Sequence, residues 1–350
     1  NTFDRRKEDM VVMVNNATRF TVAIFGVKRK QFKDIAAKMT AAIRNTLIAM
    51  NINPEIVEEY MHQSGEINFV SNHDRKMTAW VNRQGLNASF VVGRAVNESM
   101  DVIKFDDTLG YKASRHPVNY SRNHDDGFIP AEAMVKALVE LTGKPAYKYR
   151  AFELLATLDL DIYKATRRMI VPADMGFSKL HELMQEVFDW NNCHLHDFTV
   201  VDSKDGKPVA RLVMSEEDLA YDKEAVLEST RKLSDYLPKY KHIIYTYDMG
   251  DNWEHTIEFI REIEEHYEES PFLLEAEGQT PPEDVGGPGG YEEFCKIIKS
   301  PRNKEHAAMV AWSNGCQPTG KKFDPEYFDV YAVNDLLGWY VRWDRPRKLY

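Results

Sequence analysis

Tyr245-Thr246-Tyr247-Asp248-Met249-Gly250-Asp251-Asn252-Trp253-Glu254-His255-Thr256-Ile257-Glu258-Phe259 reads as two strands folded about the polar turn Met249 to Asn252. From Trp253 onward, His255, Ile257 and Phe259 share one strand face. Downstream, Pro281-Pro282-Glu283-Asp284-Val285-Gly286-Gly287-Pro288-Gly289-Gly290-Tyr291 forms a Gly/Pro bend, and an apolar helix from Tyr291 to Ile298 is expected to follow it. Carboxylates, a histidine and an indole thus fall beside a constrained loop.

The surrounding sequence gives these two stretches a fold. Tyr147 to Leu158 and Tyr163 to Val171 are extended runs. Ser178 is placed to cap a helix over Lys179 to Phe188, whose Leu180, Leu183, Met184 and Val187 face one way. A strand from His194 to Val201 and its hairpin partner Pro208 to Met214 flank the Asp205-Gly206 turn. The order β-β-α-β-β, with more strands after it, predicts an α+β domain with a mixed or antiparallel sheet packed on a helix.

At 350 residues, two domains are expected. Residues 1 to 100 read as a small α+β domain: strands Met10 to Val14 and Phe20 to Phe25, a helix over Gln31 to Met50, and another from Pro54 to His62. Leu86 to Val92 reads as a strand, and Met77 to Val81 fits helix and strand equally. Residues 101 to 144 read as a linker with a short helix, Ala131 to Leu141, and residues 145 to 350 form the second domain.

The formal net charge of -10 disfavours a general phosphate-binding surface. Cys193, Cys295 and Cys316 have neither disulfide-framework nor C-x-x-C spacing, so a reducing cytoplasm is the expected compartment. No apolar run long enough for a bilayer and no charged-then-apolar leader is read, so no membrane role is expected.

Tyr147 to about Asp329 resembles the Ri-plasmid open-reading-frame-three-like family, which also carries an insertion-element passenger resolvase label. Four ordered motifs carry the resemblance: Thr166-Arg167-Arg168 through Pro172-Ala173-Asp174; Leu180-His181-Glu182 through Phe188-Asp189-Trp190 with His194-Leu195-His196-Asp197-Phe198; Tyr247 through His255; and Gly278 through Tyr291. Asp189 stands where the family commonly has Gly, and Val285 where it often has Cys. The resemblance implies an α+β, β-grasp-like unit on a mobile-element or plasmid-associated protein of uncharacterised function. A recombinase needs a Ser or Tyr nucleophile among clustered arginines, and none is read here. Residues 1 to 100 faintly resemble a domain of unknown function.

Alternation places His196 and His255 on apolar strand faces. Were their strands neighbours, the two imidazoles would approach each other, with Asp248, Asp251, Glu283 and Asp284 at the rim. His196, Asp248, Asp251 and His255 are then candidate ligands for a divalent metal ion, with Glu283 or Asp284 as a catalytic base. The competing reading is structural: Asp251 closes the turn, His255 makes a buried hydrogen bond, and Trp253 fills the core. Arg168 is a candidate partner for the acid rim, and Gly286 and Gly287 offer backbone N–H groups. His194 and Trp253 are further candidate site residues; His194 follows Cys193, but adjacent strand residues face opposite ways, so a thiol–imidazole pair is not expected.

Three functions remain open. The leading expectation is a non-catalytic interaction module whose acidic cleft takes a protein or basic peptide. A metal-dependent hydrolase is the alternative. Nucleic-acid binding through Arg115, His116, Tyr120, Arg122 and His124 is the third.

Overall fold

The computed structural model describes residues 2–5, 8–27, 29–97, 106–119, 127–161, 163–316 and 323–340. The chain divides into two compact units, residues 1–149 with 266–269, and residues 150–265 with 270–350.

In the first unit, β1 (Thr2–Arg5), β2 (Glu8–Val14) and β3 (Thr21–Val27) form an antiparallel sheet in sequence order. The Asn15 side chain accepts the N–H groups of Ala17 and Thr18 and so closes the β2–β3 turn. Helix α1 (Ile35–Ala49) follows, then α2 (Pro54–Gln63), which has Pro54 in its first turn and Asn53 accepting the Glu55 N–H.

Residues 86 to 92, expected as a strand, lie within a long helix, α3 (Arg75–Asn97). Leu86 and Phe90 point to solvent. Where burial is described in this helix, Gln84, Gly85 and Ala88 are the buried positions, so a polar residue and a glycine sit in the apolar stripe and blur its period.

The segment read as a linker contributes α4 (Asp106–Ser114), the short pair β4 (Val118–Asn119) and β5 (Gly127–Phe128), and α5 (Pro130–Thr142). These residues belong to the first unit. Helix α4 docks on β3 through small groups: a Cβ on Gly110 would lie 2.4 Å from the Thr21 carbonyl oxygen, and Ser114 Oγ accepts the Thr21 N–H at 2.7 Å. Packing through Gly, Ala and Ser leaves no hydrophobic stripe to read. Tyr120, Arg122 and His124 lie outside the described residues.

The second unit is built on an eight-stranded mixed sheet. Its strands are β6 (Tyr149–Asp159), β7 (Lys164–Pro172), β8 (His196–Val201), β9 (Pro208–Val213), β10 (Val226–Leu227), β11 (His242–Tyr247), β12 (Trp253–His266) and β13 (Phe272–Glu277). They lie in the order β10-β9-β8-β11-β12-β6-β7-β13, with β10 parallel to β9. Helix α6 (Phe177–Val187) buries Leu180, Leu183, Met184 and Val187 completely. It begins before the expected Ser178 cap because buried Phe177 packs edge-on against Phe198, drawing the first turn into the core. Helices α7 (Glu216–Tyr221), α8 (Gly287–Ile298), α9 (His306–Cys316) and α10 (Val330–Tyr340) also belong to this unit. Among the described residues no helix is long and apolar enough to cross a membrane.

Strand alternation separates Arg167 from Arg168 as expected. Arg168 lies on the outer face, paired with Glu153 and Glu275. Arg167 is fully buried, donating to the carbonyls of Thr166, Val187 and Glu277, with its guanidinium 3.7 Å from the Phe328 ring centre. Burial pulls its pKa down to about 9, so it remains a cation at neutral pH. Arg167→Ala strands these carbonyls in the core and is expected to cost about 3–5 kcal/mol. Denaturant midpoints would check this, and a loss below about 1 kcal/mol would show that the guanidinium ties nothing together.

Candidate functional site

Strand β11 pairs with β8 on one side and β12 on the other, so it separates His196 from His255. His196 lies opposite Tyr247, whereas His255 lies opposite Tyr245. The two imidazoles therefore do not share a site, contrary to the approach expected from alternation. The strand faces and the β11–β12 hairpin were legible, but the placing of β11 between β8 and β12 was not.

Both imidazoles are held by structural partners. Trp190 Nε1 donates to His255 Nε2 at 3.2 Å, leaving Nδ1–H to donate to the carbonyls of Tyr245 and Trp253. Both nitrogens of His255 are thus used, and burial lowers its pKa to about 3. Trp253 is buried and stacks with Trp190. His196 Nε2 lies 2.9 Å from a Glu228 carboxylate oxygen, and its ring stacks on His181 with centres 3.5 Å apart. Burial alone would raise the Glu228 pKa, but the hydrogen bond and charge of His196 hold it below the usual carboxylate value.

His181 completes a buried network. Gln185 Nε2 donates to the Tyr245 hydroxyl, which donates to His181 Nδ1, and His181 Nε2–H donates to Asn192 Oδ1, each at 2.8 Å. Burial lowers the His181 pKa to about 3. This core leaves a neutral imidazole in place.

The polar groups that do converge lie where the β11–β12 turn meets residues 191–195 and the bend at Pro281-Pro282-Glu283-Asp284. Glu283 is the hub. Its Oε1 accepts the Tyr247 hydroxyl at 2.7 Å, and its Oε2 accepts the Asn191 N–H at 2.9 Å. The Tyr247 oxygen accepts the Cys193 N–H at 3.1 Å. Burial, then the hydrogen bond and charge of Glu283, push the Tyr247 pKa far up.

Cys193 and His194 precede β8, so strand alternation does not govern them. Both side chains reach Glu283: Cys193 Sγ lies 3.5 Å and His194 Nε2 3.6 Å from Oε1. The two side chains therefore turn toward the same carboxylate instead of to opposite faces. His194 Nε2 also lies 3.1 Å from Asp284 Oδ1 and 3.6 Å from Asp248 Oδ2. Burial first, then the charge of Glu283, raises the Cys193 pKa. A cation at this point would oppose that shift.

Of the ligands expected from sequence, Asp248 is in this cluster, while Asp251 serves the backbone. Asp251 Oδ2 accepts the Gly286 N–H at 3.1 Å, so the chain's own carboxylate takes the place of an external anion. Helix α8 starts at Gly287, inside the bend rather than after it, with Pro288 in its first turn. Close approach explains the glycines: a Cβ on Gly287 would stand 2.7 Å from the Asp251 carbonyl oxygen, and one on Gly290 2.1 Å from that of Val285. Arg168, bound to Glu153 and Glu275, is not among the groups meeting His194. The orienting roles of Tyr247 and Asn191 were missed. Tyrosine preceding Asp248 and the acidic bend were the only signals for the first, and a backbone N–H leaves none.

Residues 150–332 match the model of the plasmid pRiA4b ORF-3-like protein family, and the chain belongs to that family. Residues 1–133 match a domain of unknown function, DUF6933. An uncharacterized protein, y4hQ, of Sinorhizobium fredii is 36% identical over 159 residues, covering 45% of this chain and 78% of the relative. A protein of unknown function from Methanosarcina mazei Go1, MM3350, aligns with a TM-score of 0.46 and 32% identity over 53% of this chain and 97% of that one.

Two outcomes follow from this geometry. The folded pKa values of His181 and His255, about 3, lie below the ordinary value of 6.5, so the folded state binds fewer protons than the unfolded state in that window. Stability is therefore expected to decline as pH falls from about 6.5 toward 3. Urea midpoints at successive pH values read this directly, and a flat profile would contradict it. Gly287→Ala, at a positive φ of 68° and against backbone, is expected to lose about 1–3 kcal/mol in the same measurement.

Proposed function

We propose that the second unit is a non-catalytic interaction module that takes a basic, amphipathic peptide segment of a partner protein. The observation carrying this reading is a groove of about 640 Å³ beside the Glu283–Asp284 bend, between α8 and α9. Trp312 and the partly buried Met309 supply apolar surface over a floor of buried Phe294 and Ile297, while Asp284, Glu293 and Glu305 supply carboxylates. No Lys or Arg lines it. Trp312 is 37% exposed, a large aromatic surface available to an incoming apolar side chain.

Charge and shape together select the occupant. Apolar anchors would bury against Trp312 and Met309, and flanking Lys or Arg side chains would meet the carboxylates. Phosphate-rich ligands would meet repulsion instead, so nucleic acid fits this face poorly. The three cysteines are free, in keeping with a reducing compartment such as the cytoplasm.

Fluorescence polarisation with a labelled synthetic peptide, Lys/Arg residues flanking a Leu/Phe face, tests this proposal. Saturable binding that weakens with salt is expected, with a loss of at least about tenfold in Trp312→Ala and in the double variant Glu293→Lys/Glu305→Lys. Equal binding of an acidic peptide of the same apolar pattern, or indifference to all three substitutions, would sink it.

A further inference from the structure

We propose that His194, with further donors drawn from Glu283, Asp284, Asp248 and Cys193, binds one divalent transition-metal ion, Zn2+ foremost. This ligand set differs from the one expected from sequence, and the inference does not depend on peptide binding in the groove.

The distances suit such an ion. With bonds of about 2.1 Å, the donors around a tetrahedral zinc stand about 3.4 Å apart. From His194 Nε2 the carboxylate oxygens of Asp284, Asp248 and Glu283 are at 3.1, 3.6 and 3.6 Å. The ligand atoms of Cys193, His194 and Glu283 all lie within 4.8 Å of one another, as do those of His194, Asp248 and Asp284. His194 is common to both groups, so it is the anchor whichever of the neighbouring donors complete the ion's shell.

Charge and donor type supply independent arguments. Among the described residues no Lys or Arg forms an ion pair with Asp248, Glu283 or Asp284; the imidazole of His194 is their common partner. Three carboxylates crowded this way repel one another, and a divalent cation relieves that repulsion more fully than a histidine does. An imidazole and a thiol at the same point favour a borderline transition metal over Mg2+ or Ca2+, which select oxygen alone.

The supporting groups are already set. Tyr247 and the Asn191 N–H fix Glu283, whose side chain is only 9% exposed. Asp248 Oδ1 accepts the Gly250 N–H at 2.8 Å, leaving Oδ2 toward His194. Such outer hydrogen bonds orient ligands and sharpen metal affinity. An ion here would join residues 193–194, the β11–β12 turn and the bend before α8.

The test is calorimetric titration of the metal-stripped full chain with Zn2+ alone, paired with Co2+ absorption spectra. One saturable site is expected, weakened by more than about a hundredfold in His194→Ala and by about 10–100-fold in Tyr247→Phe. Asp284→Asn, at a side chain 71% exposed, is expected to weaken binding without affecting folding. Glu305→Lys, in the groove, should leave the metal affinity within about twofold, which separates this site from the peptide reading. Visible Co2+ bands should be accompanied by a thiolate-to-cobalt band that Cys193→Ser abolishes. Absence of saturable Zn2+ binding in the folded chain, or equal affinity in wild type, H194A and D284N, would overturn the site. A thiolate band that persists in C193S would overturn the sulfur ligand.

Discussion

Buried hydroxyls on the central strand impose the constraint around which the second unit is arranged. Tyr245 and Tyr247 both lie on β11 with no exposure, and neither hydroxyl can be left without a partner in the core. Tyr245 is answered from α6, by Gln185 and His181. Tyr247 is answered from the bend before α8, by Glu283, and from residue 193 by a backbone N–H. Two residues on one strand thereby fix the position of a helix and of two loops. Apolar burial supplies most of the driving force for collapse, while these directional bonds choose the arrangement.

This division explains why histidines of similar sequence setting differ so much. His181 and His255 are enclosed, neutral and committed on both ring nitrogens. His194 stands at the rim, two residues before β8, where its ring meets carboxylates from two other segments. A buried neutral imidazole serves as a hydrogen-bond joint, whereas a rim imidazole among carboxylates remains available to a cation. The same rim continues through Asp284 into the apolar groove between α8 and α9. Metal and peptide are thus separate readings of adjoining surfaces, distinguished by the donor atoms each would use.

Much of the architecture was legible because its signals are local. The helix α6 stripe and the β8–β9 and β11–β12 hairpins follow from periodicity and turn residues. The α+β class and two-domain organisation follow from their order and from chain length. Other features were hidden by the physics that forms them. Gly110, Ala113 and Ser114 dock α4 through close backbone approach, which leaves no apolar pattern. Residues 86 to 92 suggested a strand although Leu86 and Phe90 end in solvent on a helix. Helix α8 begins within a glycine-rich bend because Pro288 suits a first turn and the glycines at 287 and 290 admit neighbouring backbone.

Sequence sufficed to fix the identity and strand faces of His196, His255, Arg167 and Arg168, since alternation along a strand is a property of the backbone. It also marked Asp248, Glu283 and Asp284 as belonging near one another. Which imidazole meets them was settled only by tertiary structure. Inserting β11 between β8 and β12 separates His196 from His255, while the irregular path before β8 turns Cys193 and His194 toward Glu283. Strand order and loop path arise from long-range pairing and from satisfying buried polar groups, neither of which has a period that a linear sequence displays.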